Sequence, residues 1–263
     1  MMGAMGTTGE VGEETNLRTI RINCWSGPRN VSTALMRSFA QRSDSRAVDE
    51  PLYGHYLATT HAPHPGREEL IEILETNPRT VIDELILGPC DRDVLFLKQM
   101  VHHLTEDLDL RFLDRCVNVL LIRDPGEVIA SLVNQLPEPT MRDVGLERQA
   151  ALFTDLRSRG QDPPVLDVRQ LLRDPETVLK QLCDSVGIGW DAAMLSWPPG
   201  PQPEDGPWAK YWYGNLHRTT GFEPYRPRST DVPDHCRELL AECRVHYEGL
   251  SRHAIVTSSA EAS

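Results

Sequence analysis

Two short stretches of the sequence carry residue types suited to holding phosphate. The first, SGPRNVST (Ser26 to Thr33), lies between an apolar run and a helical pattern. A turn in that place aims backbone N–H groups and the positive end of a helix at one spot, where Arg29 adds a charge and Ser32 and Thr33 add hydroxyl donors. Gly27, Pro28, Arg29, Asn30, Val31, Ser32 and Thr33 are therefore candidate phosphate contacts. The Gly-Lys-Ser/Thr ending of a Walker A loop is missing, which argues against ATP hydrolysis. The second stretch is LLIRDPGEVIASLVNQ. Here Arg123 at a strand end suits a bidentate grip on phosphate, and Ser131, two turns along the next helix, offers a hydroxyl. Taken alone, a capped helix after a tight turn would explain the first stretch, and an Arg-Asp ion pair with a solvated serine the second.

Acid–base chemistry has candidates in two further places. FLKQMVHHL carries Lys98, His102 and His103, and VDEPLYGHYL carries Asp49, Glu50 and His55. A polar strand end, a snorkelling lysine and a solvated turn account for each in isolation. Their common position near strand ends raises the functional reading, because open α/β sheets bind ligands at the carboxyl ends of their strands.

The elements that must position these residues follow from hydrophobic patterning. IRINCW, SRAVDE, Asp93 to Met100, Cys116 to Arg123 and PVLDV read as strands, several of them continuous apolar runs of the kind covered on both faces. Helical patterns fall at VSTALMRSFAQR, Arg67 to Glu75, Pro78 to Leu87, Pro125 to Asn134, Val144 to Arg159, Pro175 to Val186 and about Pro233 to Leu250. Strands alternating with helices imply an α/β fold with a mostly parallel central sheet flanked by helices on both faces. Residues 17–256 read as a single domain, with fraying ends at 1–16 and 257–263. From Pro198 to Pro227 seven prolines are interleaved with Trp208, Tyr211, Trp212, Tyr213 and Phe222, a long loop that is either a surface strap or a lid.

With 27 Lys plus Arg against 39 Asp plus Glu, the net charge is −12, so nucleic acid and anionic lipid are unsuitable partners and any anion must be caught locally. The six cysteines show no C-x-x-C pair, which speaks for reduced, structural thiols and against a zinc ribbon. No apolar run approaches the length of a membrane span, and a cytoplasmic location is the expectation.

The two phosphate-type motifs, their order and their separation resemble the sulfotransferase family, which uses 3′-phosphoadenosine 5′-phosphosulfate (PAPS). GPRNVST looks like the family's strand-loop-helix segment for the 5′-phosphosulfate. Arg123 and Ser131, eight residues apart, have the spacing of its 3′-phosphate contacts. DVRQLLRDPETVLKQLCDSVGI resembles its late strand-helix segment, so the likeness spans about Arg18 to Ile188. It implies a P-loop NTPase-like fold, a PAPS donor, no metal, and a small hydroxyl- or amine-bearing acceptor, with the chain a monomer or homodimer. It also implies Glu50 or one of His102 and His103 as base, with Lys98 and Arg29 stabilising the leaving oxygen. Relatives often place their Lys and His with one residue between them; the gap here is longer. In place of their closing Arg-Lys-Gly loop this chain has His217-Arg218-Thr219-Thr220-Gly221, which makes Arg218 and Thr219 further candidates. Two alternatives stand beside this reading: a nucleotide-dependent kinase or hydrolase sharing the phosphate loop, and a non-catalytic nucleotide-binding module.

Overall fold

The computed structural model describes residues 19–257 apart from 61, 63, 228 and 229. The ends expected to fray, 1–16 and 258–263, lie outside the described residues. Thr257, assigned to the tail from sequence, is buried, with its hydroxyl 3.5 Å from Gln170 Oε1.

Five strands form one parallel sheet in the order β2-β3-β1-β4-β5. They are β1 (Ile20–Ser26), β2 (Ser45–Asp49), β3 (Val94–Met100), β4 (Val117–Ile122) and β5 (Val165–Asp167). The helices in chain order are α1 (Ser32–Ala40), α2 (Tyr53–Thr59), α3 (Arg67–Ile73), α4 (Pro78–Thr80), α5 (Pro125–Leu132), α6 (Met141–Val144), α7 (Leu146–Ser158), α8 (Val168–Arg173), α9 (Pro175–Val186), α10 (Ala209–Trp212) and α11 (Arg237–Ser251). The strand and helix patterns appear where the sequence placed them, with ends that differ by up to a few residues. The pattern over Pro78 to Leu87 is split, α4 passing into a π-helical turn at Val81–Ile86.

Because side chains alternate along a strand, each strand feeds two cores. Trp25, Leu95, Leu97, Leu120 and Ile122 point to the face covered by α5, α7 and α11. Ile22, Cys24, Phe96, Val119 and Leu121 point to the face covered by α1, α8 and α9, where Phe39 stacks on Phe96 at 4.1 Å. All six cysteines are free and buried, and burial pushes the Cys24 thiol up to about 12. These thiols fill the core as small apolar groups.

A third, smaller cluster holds the proline- and aromatic-rich loop 198–227. Trp208 and Tyr213 pack with Tyr53, Leu57 and Leu70 of α2 and α3. A second fastening comes from α1, whose wholly buried Arg37 donates to Gly200 O at 2.9 Å and forks onto both oxygens of Asp205 at 3.0 and 2.8 Å. His217 Nε2 lies 3.0 Å from the same carboxylate. The loop is thus clasped to the helix that begins at the phosphate-type loop.

Candidate active site

Along the carboxyl ends of the strands runs a cleft of about 560 Å³, lined by every candidate named from the sequence except Asp49, His55 and Arg218. Loop 27–31 forms its floor. Gly27 is required there because a Cβ would lie 2.5 Å from the Val144 carbonyl oxygen. Asp124, Asp167 and Asp174 cap α5, α8 and α9 through their side chains, whereas Val31 at the start of α1 supplies no side-chain cap. The first N–H groups of α1 therefore meet the cleft without a capping oxygen, and favour an anion there. Asn30 anchors the loop by donating its side-chain amide to Leu121 O at 3.2 Å, and its side-chain oxygen Oδ1 is buried with no partner.

The two phosphate-type motifs, about a hundred residues apart in sequence, are joined. Arg29 Nε donates to Ser131 Oγ at 2.8 Å, and Arg123 Nη1 donates to the Arg29 carbonyl at 2.7 Å. Arg123 also places Nε and Nη2 on Glu127 Oε2, at 2.9 and 2.7 Å, and Tyr225 OH donates to Glu127 Oε1 at 2.8 Å. The ionic partner of Arg123 is thus Glu127 one turn along α5, while Asp124 is occupied in capping that helix.

At the β2–β3 end, Lys98 makes three bonds, to Asp49 Oδ1 at 2.8 Å, to Glu50 Oε1, and to Tyr213 OH at 3.0 Å. Tyr213 in turn donates to Asp49 Oδ2 at 2.6 Å. Burial alone would push the Lys98 ammonium down, but the two carboxylates outweigh it and hold it well above the ordinary lysine range. Burial pushes the Glu50 carboxyl up, opposed by the charge of Lys98. Among the described residues the non-glycines with positive φ are Arg29 (60°) and Glu50 (39°). Both are candidate site residues, and strain of this kind is maintained where the surroundings over-determine a conformation that function needs.

His103 is wholly buried with its ring between Tyr53 and Tyr56, at centroid distances of 4.8 and 4.7 Å. Its Nε2 is 3.7 Å from Glu50 Oε2, beyond hydrogen-bonding distance, and neither ring nitrogen has a partner. Burial pushes His102 down to about 4 and His103 well below the usual range. Both are neutral near pH 7. Two residues sit differently from the sequence expectation. Arg218 is exposed, does not line the cleft, and spends its guanidinium on Asn215 Oδ1 three residues back in the same turn. Thr219 does line the cleft, but its hydroxyl is occupied, accepting from Trp197 Nε1 at 3.1 Å and donating to Leu216 O at 2.8 Å. His55 turns away toward Thr105 and Asp107, 3.0 and 3.3 Å from Nε2.

Sequence reasoning passed over Tyr213, which meets Lys98 from 115 residues away. It also passed over Glu127, which sits in the first turn of α5 four residues after Arg123. Among the described residues no group of three His, Cys, Asp or Glu is arranged to hold a metal, and no helix is long and apolar enough to cross a membrane.

A parallel sheet with a phosphate-type loop between its first strand and first helix, and a cleft at the strands' carboxyl ends, defines a P-loop-like α/β protein. The sulfotransferase domain family matches residues 20–253, and the chain belongs to that family. The sulfotransferase domain from the curacin biosynthetic pathway shares the fold, with a TM-score of 0.51 and 17% identity over 91% of this chain and 99% of that one. Two Arabidopsis thaliana proteins, branched-chain-amino-acid aminotransferase-like proteins 1 and 2, are similar in sequence. The first is 36% identical over 238 residues, covering 90% of this chain and 43% of its own length. The second is 35% identical over 232 residues, covering 88% and 41%. The chain therefore spans about two fifths of these curated relatives.

Proposed function

We propose that this chain moves a sulfuryl group from PAPS to a hydroxyl or amine of a small-molecule acceptor, as a single cytoplasmic domain covering residues 17–256. The observation that carries the reading is the joining of Arg29, Ser131 and Arg123 at the edge of the cleft that also holds Lys98 and Glu50. The residues fit a doubly phosphorylated nucleotide. α1 begins without a side-chain cap, which leaves its first N–H groups as donors, and Arg123 uses three of its five N–H groups on protein, leaving two for a phosphate. Loop 27–33 would hold the phosphosulfate, and Arg123 with Ser131 the 3′-phosphate.

PAPS supplies an activated sulfuryl group. Glu50, ionised beside Lys98, takes the acceptor proton on its carboxylate, and its raised affinity for protons makes it a better base than an ordinary carboxylate. Lys98 and Arg29 offer positive charge where negative charge builds up on the leaving side. Tyr213 and Asp49 fix the Lys98 ammonium, and the aromatic loop keeps water from the reacting atoms.

Calorimetric titration with adenosine 3′,5′-bisphosphate, against ATP and adenosine 5′-phosphate, tests the donor. The expected result is micromolar binding that depends on the 3′-phosphate. Preference for ATP with Mg²⁺, or turnover of it, would overturn the proposal in favour of a kinase or hydrolase. Glu50→Gln should bind the bisphosphate and lose turnover. In the parent protein the rate should fall on acidification at a pH above the ordinary carboxylate value of 4.5, since Glu50 must be ionised to act.

A further inference from the structure

Among the described residues no strand pairs with the outer edge of β2, the first strand in the sheet order. Val94 N donates to Asp44 O at 3.0 Å, and Glu50 N donates to Lys98 O at 2.9 Å. Alternate residues of a strand bond the same neighbour, so 44, 46, 48 and 50 serve β3. The backbone N–H and C=O groups of Ala47 and Asp49 are turned the other way, outward. Native proteins ordinarily cover or blunt such an edge, because it is a template for another strand.

A groove of about 550 Å³ runs along this edge, lined by every residue of β2 and by Glu50 and Pro51 after it. Five residues of strand extend about 16 Å. One wall is Val81 and Leu85 of the π-helical turn, on the side to which Val48 points. The other is Glu204 and its neighbouring prolines in the clasped loop, on the side of Ala47. Gly206 N holds that wall in place by donating to Asp49 Oδ2 at 3.1 Å. Two polar atoms of lining residues are buried with no hydrogen-bond partner: Oγ of Ser45, which is 9% exposed, and Oε1 of half-buried Glu204. Burial pushes the Glu204 carboxyl up, a cost that a cation beside it would relieve. Asp49, Glu50, Glu75 and Glu204 line the groove against Arg46, and Lys98 stands behind the first two, so the groove is negative.

An occupant must therefore be extended, bring its own backbone donors and acceptors, and carry positive charge toward Glu204 and apolar side chains toward Val81. The first sixteen residues of this chain, with three Glu and no Lys or Arg, have the wrong charge. A second copy has it too, since a two-fold pairing about Ala47 would set the same glutamates of both copies in one interface. We propose that the β2 edge is a docking site for a partner protein, which adds an extended segment of alternating basic and β-branched apolar residues as a sixth strand. Glu50 and Trp208 line both this groove and the catalytic cleft, so the docked segment ends at the rim of that cleft. The proposal stands apart from the sulfuryl-transfer reading, and its test needs no donor.

The probe is a fluorescein-labelled Val-Lys-Val-Lys-Val amide, titrated into the full chain by fluorescence anisotropy. Val-Glu-Val-Glu-Val and a fully N-methylated form of the basic peptide serve as controls. The basic probe should bind, and both controls should bind at least about tenfold more weakly, having lost the charge or the strand hydrogen bonds. Hydrogen exchange should show the Ala47 and Asp49 amides open in the free protein and slowed by the probe. Ala47→Pro removes a groove-facing N–H, spares the bonds to β3 and stands at an edge, where proline is tolerated; it should abolish probe binding. Glu204→Gln, which touches no ladder bond, should weaken binding by about tenfold and carries the same test if Ala47→Pro does not fold. No binding of the basic probe, or binding indifferent to N-methylation or to Glu204→Gln, overturns the proposal. Ala47 and Asp49 amides already protected in the free protein, or a dimer that Ala47→Pro dissociates, would assign the edge to this chain itself and overturn it equally.

Discussion

Arg123 is the residue on which the donor reading is most exposed to test, and the structure shows why its removal must be designed with care. Arg123→Ala strips the guanidinium from a Glu127 carboxylate whose side chain is only 4% exposed. Breaking one side of a buried pair costs about 3 to 5 kcal/mol, so a loss of binding in that variant would be mixed with loss of fold. The paired variant Arg123→Gln/Glu127→Gln removes both charges and keeps amide groups where Tyr225 and the Arg29 carbonyl need partners. Its stability should lie well above that of Arg123→Ala. On the proposed reading, the two N–H groups that Arg123 does not spend on Glu127 and Arg29 would make a charge-assisted contact with the 3′-phosphate worth about 1.5 to 3 kcal/mol. Bisphosphate affinity in the paired variant should therefore fall by about 10- to 150-fold, while adenosine 5′-phosphate, lacking the group being read, should bind nearly as before. Calorimetry on both ligands, with urea unfolding of each variant, measures every term. Unchanged bisphosphate affinity in the folded paired variant refutes the assignment of Arg123.

Two further changes probe the β2–β3 end. The unfolded chain protonates His102 near 6.5 whereas the fold holds it neutral down to about 4. The unfolded state thus binds more protons across that window, and stability falls on acidification by about 1.4 kcal/mol per pH unit for this group. His102→Phe should flatten that loss in urea melts compared at neutral pH and at about pH 5; parallel curves would refute the burial argument. Tyr213→Phe removes the donor to Asp49 Oδ2 and an acceptor for both Lys98 and Trp208. It should cost about 1.5 to 3 kcal/mol in denaturant unfolding, and wild-type stability would show that this network fixes nothing.

How much of this was legible in the sequence depended on distance along the chain. The strands were readable because runs such as VLFLKQM and VNVLLI are apolar on both faces, and the phosphate-type loop because Gly, Pro and Arg interrupt an apolar run just before a helical one. Helix α2 was hidden, since Pro51 and Gly54 flank its start and its seven residues give little periodicity. Helix α8, with six residues, was not assigned from the sequence, which ended a strand at Val168 and began the next helix at Pro175. Lys98 and Glu50 were found as residue types at strand ends. Their coupling through Asp49 and Tyr213 arises only when β2 pairs with β3 and the loop folds back, contacts with no local signature. Arg218 was chosen as a basic residue in the right segment, and segment alone does not say which way a side chain leaves a short helical turn.

The clasp of loop 198–227 changes what kind of object that loop is. It hangs from α1 at Arg37 and from β2 at Asp49, both buried, so its detachment requires breaking a buried ion pair and buried hydrogen bonds to a carboxylate. Its opening free energy then lies toward that of global unfolding, and its protected amides should exchange with the sheet as one cooperative unit. A donor that binds at the start of α1, as proposed, would stabilise the helix to which this loop is pinned. Occupancy would then register across the roof of the cleft as a gain in local stability.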